Sequence, residues 1–295
     1  MDNVLECIQK YFNQINNFEF PPSWNSHQNE LKKIIGVSEF FDENFNRSLI
    51  FGAGNLYDLP IHDILENYKT TDLLDIDVST IEKALKKINE DPSRRINIIT
   101  KDIVNYPEEI SQLESPAFVE NVKEVKELLD RLLTADLCSV RDFQFSYSLV
   151  ISSTVSSQLI LPISSIIDHS INDELIVLTK KLGDTLAEKH VTQVWDLLEK
   201  GGIGIITSEQ YAWGSINNSP LPLTKAINAP TQMLDAGIQN QIELIQGGLV
   251  INGRVTPKII SDYIPHNNIL NESQWIWQFD NELFYLVKSW VFIKE

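Results

Sequence analysis

Four strand-like runs in this chain each end in residues able to hold a nucleoside. The first, "SLIFGAGNLYDLP", stops at Gly52-Ala53-Gly54-Asn55 and gives way to a helix start. Glycine allows a left-handed turn and lets a ligand approach the backbone with no Cβ in the way. The helix that follows offers unpaired N–H groups to an anion. The second run, "TDLLDID", ends in Asp75 and Asp77, either of which can accept both hydroxyls of a ribose. The third, "RINIITKDI", ends at Asp102, which can accept from an exocyclic amine of adenine. The fourth, "YSLVISSTV", ends in Ser152-Ser153-Thr154. A glycine pair alone marks many ordinary turns, but a glycine turn followed in order by two strand-end acids points to a nucleoside-type ligand.

These residues need elements to bring them together. From residue 47 onward strand and helix patterns alternate. "DLPIHDILENY", "STIEKALKKINE" and "SPAFVENVKEVKELLDRLLTA" read as helices, the last started by Ser115-Pro116. Residues 162 to 200 are mostly helical and "GGIGIITSEQ" is a fifth strand. Alternation of this kind predicts βαβ units and a doubly wound, mainly parallel sheet, which binds ligands at the carboxyl ends of its strands. The segment "SQWIWQFDNELFYLVKSWVFIKE" breaks the rhythm. It holds two β-rich runs joined at Asp280-Asn281 with no room for a helix, so a closing antiparallel hairpin is expected. The expected fold is therefore an α/β sheet of seven strands with that hairpin at its end.

Residues 1 to 46 read as an N-terminal helical cap, with Val4, Leu5, Ile8, Phe12 and Ile15 at helical spacing. Residues 47 to 295 read as the main domain. It carries an insertion at about 212–272 that is expected to act as a lid and to hold a small hairpin at Asn252-Gly253. Trp275, Trp277 and Trp290 are read as core or sheet cover.

The chain has 295 residues and a formal net charge of −17. So acidic a chain is poorly suited to nucleic acid, where Lys and Arg must neutralise phosphates. Its clearest basic patches, around Lys83-Lys86-Lys87 and Arg94-Arg95, read as a solvated helix face and its exit. The start is amphipathic and acidic, unlike a signal peptide, and no apolar run reaches the ~20 residues a membrane span needs. Cys7 and Cys138 are read as reduced thiols in a cytoplasm. No metal-like spacing of histidines and cysteines stands out, so no metal is expected. His62, His169 and His190 are read first as surface or satisfied histidines, with His169 or His190 as alternative bases.

A dinucleotide fold would place a third glycine where this chain has Tyr57 or Asp58. The order "LIFGAGNLYDLP", "LLDIDVSTIEKAL", "IITKDI" instead resembles the class I S-adenosylmethionine-dependent methyltransferases, and the closing hairpin resembles their last two strands. The resemblance covers roughly 47 to 160, 200 to 213 and 273 to 295. It implies S-adenosylmethionine as cofactor. Gly52, Ala53, Gly54 and Asn55 would lie along its methionine part, Asp77 on the ribose with Asp75 as second candidate, and Asp102 on the adenine. Ser152 and Ser153 would stand beside the sulfonium. In-line methyl transfer needs mainly alignment, so the acceptor is expected near the ends of the fourth and fifth strands. There "SEQYAWG" offers Glu209 to take a proton and Tyr211, with Trp213, to pack on a small-molecule acceptor, although both rings equally suit a core. The Pro-Pro-aromatic run that many amino-group methyltransferases carry after the fourth strand is replaced by "ISSTVSSQL". That departure leaves a non-catalytic cofactor-binding module as the alternative.

Overall fold

A computed structural model describes residues 22–41, 45–88, 95–135, 143–167, 172–216, 219–220 and 255–295. The segment 1–21, both cysteines, His169, the Asn252-Gly253 turn and most of the 212–272 insertion lie outside the described residues.

Among the described residues seven strands form one sheet: β1 Arg47–Phe51, β2 Thr70–Asp75, β3 Ile96–Thr100, β4 Tyr147–Ser153, β5 Leu198–Ile216, β6 Ile269–Gln278 and β7 Leu283–Ile293. Their order is 3-2-1-4-5-7-6, and a two-residue strand, Ser219–Pro220, pairs with the end of β5. β1 to β5 are parallel, while β7 runs antiparallel to both β5 and β6. This is the doubly wound, mainly parallel sheet with a closing antiparallel hairpin that the strand pattern predicts. The hairpin turns where Asp280 accepts from the backbone N–H of Glu282 and of Leu283, each at 2.7 Å.

Helices cover both faces. α1 Asn25–Phe41, α2 Ile61–Asn67 and α3 Val78–Lys87 pack with Ile50, Leu73, Leu149, Ile205 and Val291. On the other side α4 Pro116–Val119, α5 Val122–Thr134, α6 Val155–Gln158, α7 Leu161–Ile167, α8 Asp173–Leu197 and α9 Thr256–Tyr263 pack with Leu49, Phe51, Val150, Ile206 and Trp290. Successive strand residues alternate between these cores, and β4 is buried along its whole length, as a strand covered on both faces must be. One expected helix is two: after a single turn the chain restarts at Asn121, whose side chain caps α5 by accepting from Glu124 N–H at 3.5 Å.

α1 is a layer of the sheet. Leu31, Ile34 and Ile35 enter the core. The Trp24 indole donates to Phe279 O at 2.7 Å, and the Trp275 indole donates to His27 Nδ1 at 3.0 Å. His27 stacks on Trp277 with ring centres 4.1 Å apart. At the other end of the strands Arg47 grips buried Asp72 through two hydrogen bonds of 3.0 and 2.8 Å. The Tyr147 hydroxyl and the Asn97 amide also donate to Asp72, at 2.8 Å each. Among the described residues no helix is long and apolar enough to cross a membrane.

Candidate functional site

β1 sits between β2 and β4, so the strand order reverses there and leaves a crevice at the carboxyl ends. The chain reverses in that crevice with Gly52 at φ +60° and Gly54 at φ +44°, the left-handed region where a Cβ is strained. A Cβ on Gly52 would also stand 2.8 Å from Val155 Cγ2. The turn is pinned by Ala53 N–H donating to Leu74 O at 3.0 Å. Ala53 itself points into the core, and Asn55 is a half-buried turn residue. Neither is among the residues that line the cleft beside the turn.

That cleft is open to solvent and spans about 620 Å³ with its mouth included. Its walls are mostly apolar: Leu74, Ile76, Ile103, Val155, Leu159 and Pro162. Gly52, Asp75 and Asp102 meet in it, with Lys101, Tyr106 and Gln158.

The two acids at the end of the second strand take different surroundings. Asp75, the last residue of β2, lines the cleft. It accepts from Gly54 N–H at 2.9 Å and from Asp77 N–H at 2.8 Å, tying the glycine turn to the start of α3. Each carboxylate oxygen has a second lone pair for a ligand hydroxyl. Burial pushes its pKa up, and the two N–H donors oppose that. Asp77 is 2% exposed and faces its own helix, accepting from Ser79 Oγ at 2.7 Å and Thr80 Oγ1 at 2.5 Å. Two residues beyond the strand, it organises the first turn of α3. Of the two strand-end acids, Asp75 lines the cleft and Asp77 does not.

Asp102 follows β3 and is held by Val104 N–H at 3.0 Å and Tyr106 N–H at 2.8 Å. Burial raises its pKa, and those same N–H groups oppose the shift. The Tyr106 hydroxyl donates to Leu159 O at 2.5 Å, closing one wall of the cleft.

The β4 serines diverge. Ser152 is fully buried on the α8 face, 2.7 Å from His190 Nε2, while His190 Nδ1 lies 3.3 Å from Gln193 Oε1. Burial drives the His190 pKa down to about 4. This is a satisfied core histidine, and Ser152 does not reach the cleft. Ser153 faces the other way, 3.3 Å from Thr207 Oγ1 and bonded to Asp58. Thr154 then adopts φ +56° and donates its N–H to Thr207 at both its carbonyl and its hydroxyl. That turn launches α6, which supplies Val155 and Gln158 to the cleft.

Glu209 and Tyr211 do not share a face. Alternation along β5 predicts that they do, but the register slips there: Glu209 pairs with Val287 and Tyr211 with Leu286. The extra residue, Gln210, is a bulge that turns everything beyond it over. Tyr211 and Trp213 pack with Leu286, Ile276 and Phe284, with the Trp213 ring 5.8 Å from that of Phe284 and nearly parallel to it. They are core residues of the hairpin. Glu209 stays on the opposite face, 7% exposed, and accepts from Ser157 Oγ at 2.7 Å. Burial pushes its pKa up to about 7, with Ser157 holding it down and Asp58 adding to the rise.

Sequence reasoning missed Asp58, Ser157, Tyr106 and the α6–α7 wall. Asp58 stands in the glycine segment and Ser157 three residues after the β4 turn. Both were legible as polar residues beside a motif, yet nothing in the spacing aims them at Glu209.

No protein-family model matches the chain, and no curated protein matches it. Solved structures similar to it include N-methyltransferase NodS from Bradyrhizobium japonicum WM9 in complex with S-adenosyl-L-homocysteine. That similarity has a TM-score of 0.47 and 10% identity over 99% of each chain. Magnesium protoporphyrin IX methyltransferase (ChlM) from Synechocystis PCC 6803 with bound SAH has a TM-score of 0.41 and 11% identity, over 91% of this chain and 84% of that one. An rRNA methylase from Streptococcus thermophilus has a TM-score of 0.33 and 10% identity, over 90% and 95%. Likeness this distant bears no weight on function.

Proposed function

We propose that this chain is an S-adenosylmethionine-dependent methyltransferase acting on a small-molecule acceptor in the cytoplasm. The observation that carries the reading is the convergence of Gly52, Asp75 and Asp102 in one apolar cleft at the point where the strand order reverses.

The residues present fit an adenosyl group. Asp75, already fixed by two backbone donors, has lone pairs left for a ribose diol. Asp102 suits an exocyclic amine, with Ile103, Leu159 and Pro162 as apolar walls for a flat base. The open backbone at Gly52 and Gly54 suits the amino-acid tail. When bound, S-adenosylmethionine supplies an electrophilic methyl carbon on a sulfonium. The chain's own work is to orient the acceptor, exclude water and hold a proton, and Glu209 is the group proposed for the last. The net charge of −17 favours a small acceptor over a nucleic acid. We take 1–46 as an N-terminal cap and 47–295 as the methyltransferase domain, with an insertion at about 212–272.

Calorimetry with S-adenosylmethionine, S-adenosylhomocysteine and NAD tests the cofactor: the first two should bind and NAD should not. Labelled methyl transfer to a small-molecule extract tests turnover. Binding without any transfer of label supports the alternative, a cofactor-binding module that does no chemistry.

A further inference from the structure

Ser157 has one hydroxyl proton and two acceptors within reach. Its Oγ lies 2.9 Å from Thr154 O and 2.7 Å from Glu209 Oε2. When Glu209 is ionised, the hydroxyl donates to it. When Glu209 carries a proton, the carboxyl donates to Oγ and the hydroxyl turns to the Thr154 carbonyl. Both states are hydrogen-bonded, so the acid can gain or lose a proton with no buried polar group stranded.

The setting is costly for a carboxylate. Glu209 lies on β5 two residues past Thr207, where the pairing with β4 ends, on the face opposite the Tyr211 cluster. The titratable groups acting on it are Asp58, from the loop after β1, and Tyr285, on β7. Among the described residues it has no ion-pair partner. A buried acid without a cation, beside a second acid, is unfavourable for stability, and such arrangements concentrate where proton transfer is needed. Burial and Asp58 push the acid toward neutrality, while Ser157 favours the ionised form.

We infer that Ser157 is the positioning residue for Glu209, holding it ready to take one proton from an acceptor that attacks through N–H or O–H. This rests on the methyl-transfer reading above. The acceptor's lone pair forms the new bond to the methyl carbon as the carbon–sulfur pair returns to sulfur, and the proton it sheds passes to Glu209. Ser157 then rotates toward Thr154.

The test uses full-length protein labelled with carboxyl-13C glutamate. The resonance missing from Glu209→Gln should titrate near pH 7 in the unaltered chain. Ser157→Ala should move that midpoint up by half a unit or more, and Ser157→Thr should restore it. The rising limb of label transfer against pH should move by the same interval. Should Ser157→Ala not fold, Ser157→Cys, a poorer donor, should show a smaller shift of the same sign. Calorimetry with S-adenosylhomocysteine separates the two ideas. Normal binding with an unmoved midpoint, or with a pH limb that does not follow it, overturns the role of Ser157. A chain that binds no S-adenosylhomocysteine overturns the methyl-transfer reading itself, whatever the titration shows.

Discussion

Asp75 and Asp77 are two residues apart and do different work. Asp75 ends its strand facing the cleft, and Asp77 faces the helix it starts. Asp75→Asn should therefore weaken S-adenosylhomocysteine binding at least tenfold by calorimetry. Asp77→Ala should cost about 1–3 kcal/mol of stability in urea unfolding, since it removes the buried acceptor of the Ser79 and Thr80 hydroxyls, with affinity changed less than threefold. The reverse pattern would return the ribose to Asp77. His27 carries a second residue-scale prediction. Burial lowers its pKa from 6.5 to about 3. The unfolded chain binds the proton first, so this group destabilises the fold as pH falls below about 6.5, and it does so until pH nears 3. Stability between pH 6 and 4 should drop by about 1.4 kcal/mol per unit from this one group. In His27→Gln, less stable at pH 7, the slope over that interval should be shallower by one proton. An unchanged slope would mean that the ring is protonated in the fold.

The elements show how one extra residue redirects a strand. β5 up to Glu209 keeps the alternation set by Ile203 and Ile205, and the bulge at Gln210 then carries Tyr211 and Trp213 to the other face. Tyr211→Ala should behave as a core truncation, losing about 3 kcal/mol or more in urea unfolding, while S-adenosylhomocysteine affinity stays within threefold. A folded, fully stable variant with altered acceptor use would place Tyr211 back in the acceptor site. The same element explains why Glu209 is reachable from α6: without the bulge, the aromatic pair would lie on its face and crowd the Ser157 contact.

At the scale of the molecule the sheet divides its labour between its ends. Chemistry-bearing groups gather at the carboxyl ends of β1 to β5, and the amino ends are locked by Arg47, Asp72, Tyr147 and Asn97. Asp72→Ala leaves the partly exposed Arg47 guanidinium unpaired and removes the acceptor of the Tyr147 hydroxyl, so it should cost about 1–3 kcal/mol. Its cofactor affinity, measured below the unfolding range, should be unchanged. A loss of affinity at native stability would show that the two ends are coupled.

The sequence alone carried the order of strands and helices along the chain, the closing hairpin and a cradle of a glycine turn with strand-end acids, because each is written in local pattern: period-2 runs, glycine at a forced turn, acids at strand ends. It ranked Asp77 ahead of Asp75, whereas which of two neighbouring carboxylates lines the cleft depends on where the strand stops. It offered Ser152, Glu209 and Tyr211 as companions. Only the tertiary structure separated them, because a strand residue's face is fixed by pairing with distant strands and by the helix packed over it. Ser152 is claimed by His190 on α8, and Tyr211 by the hairpin. The Ser157–Glu209 pair spans two elements 52 residues apart in the chain, a contact that no local spacing encodes.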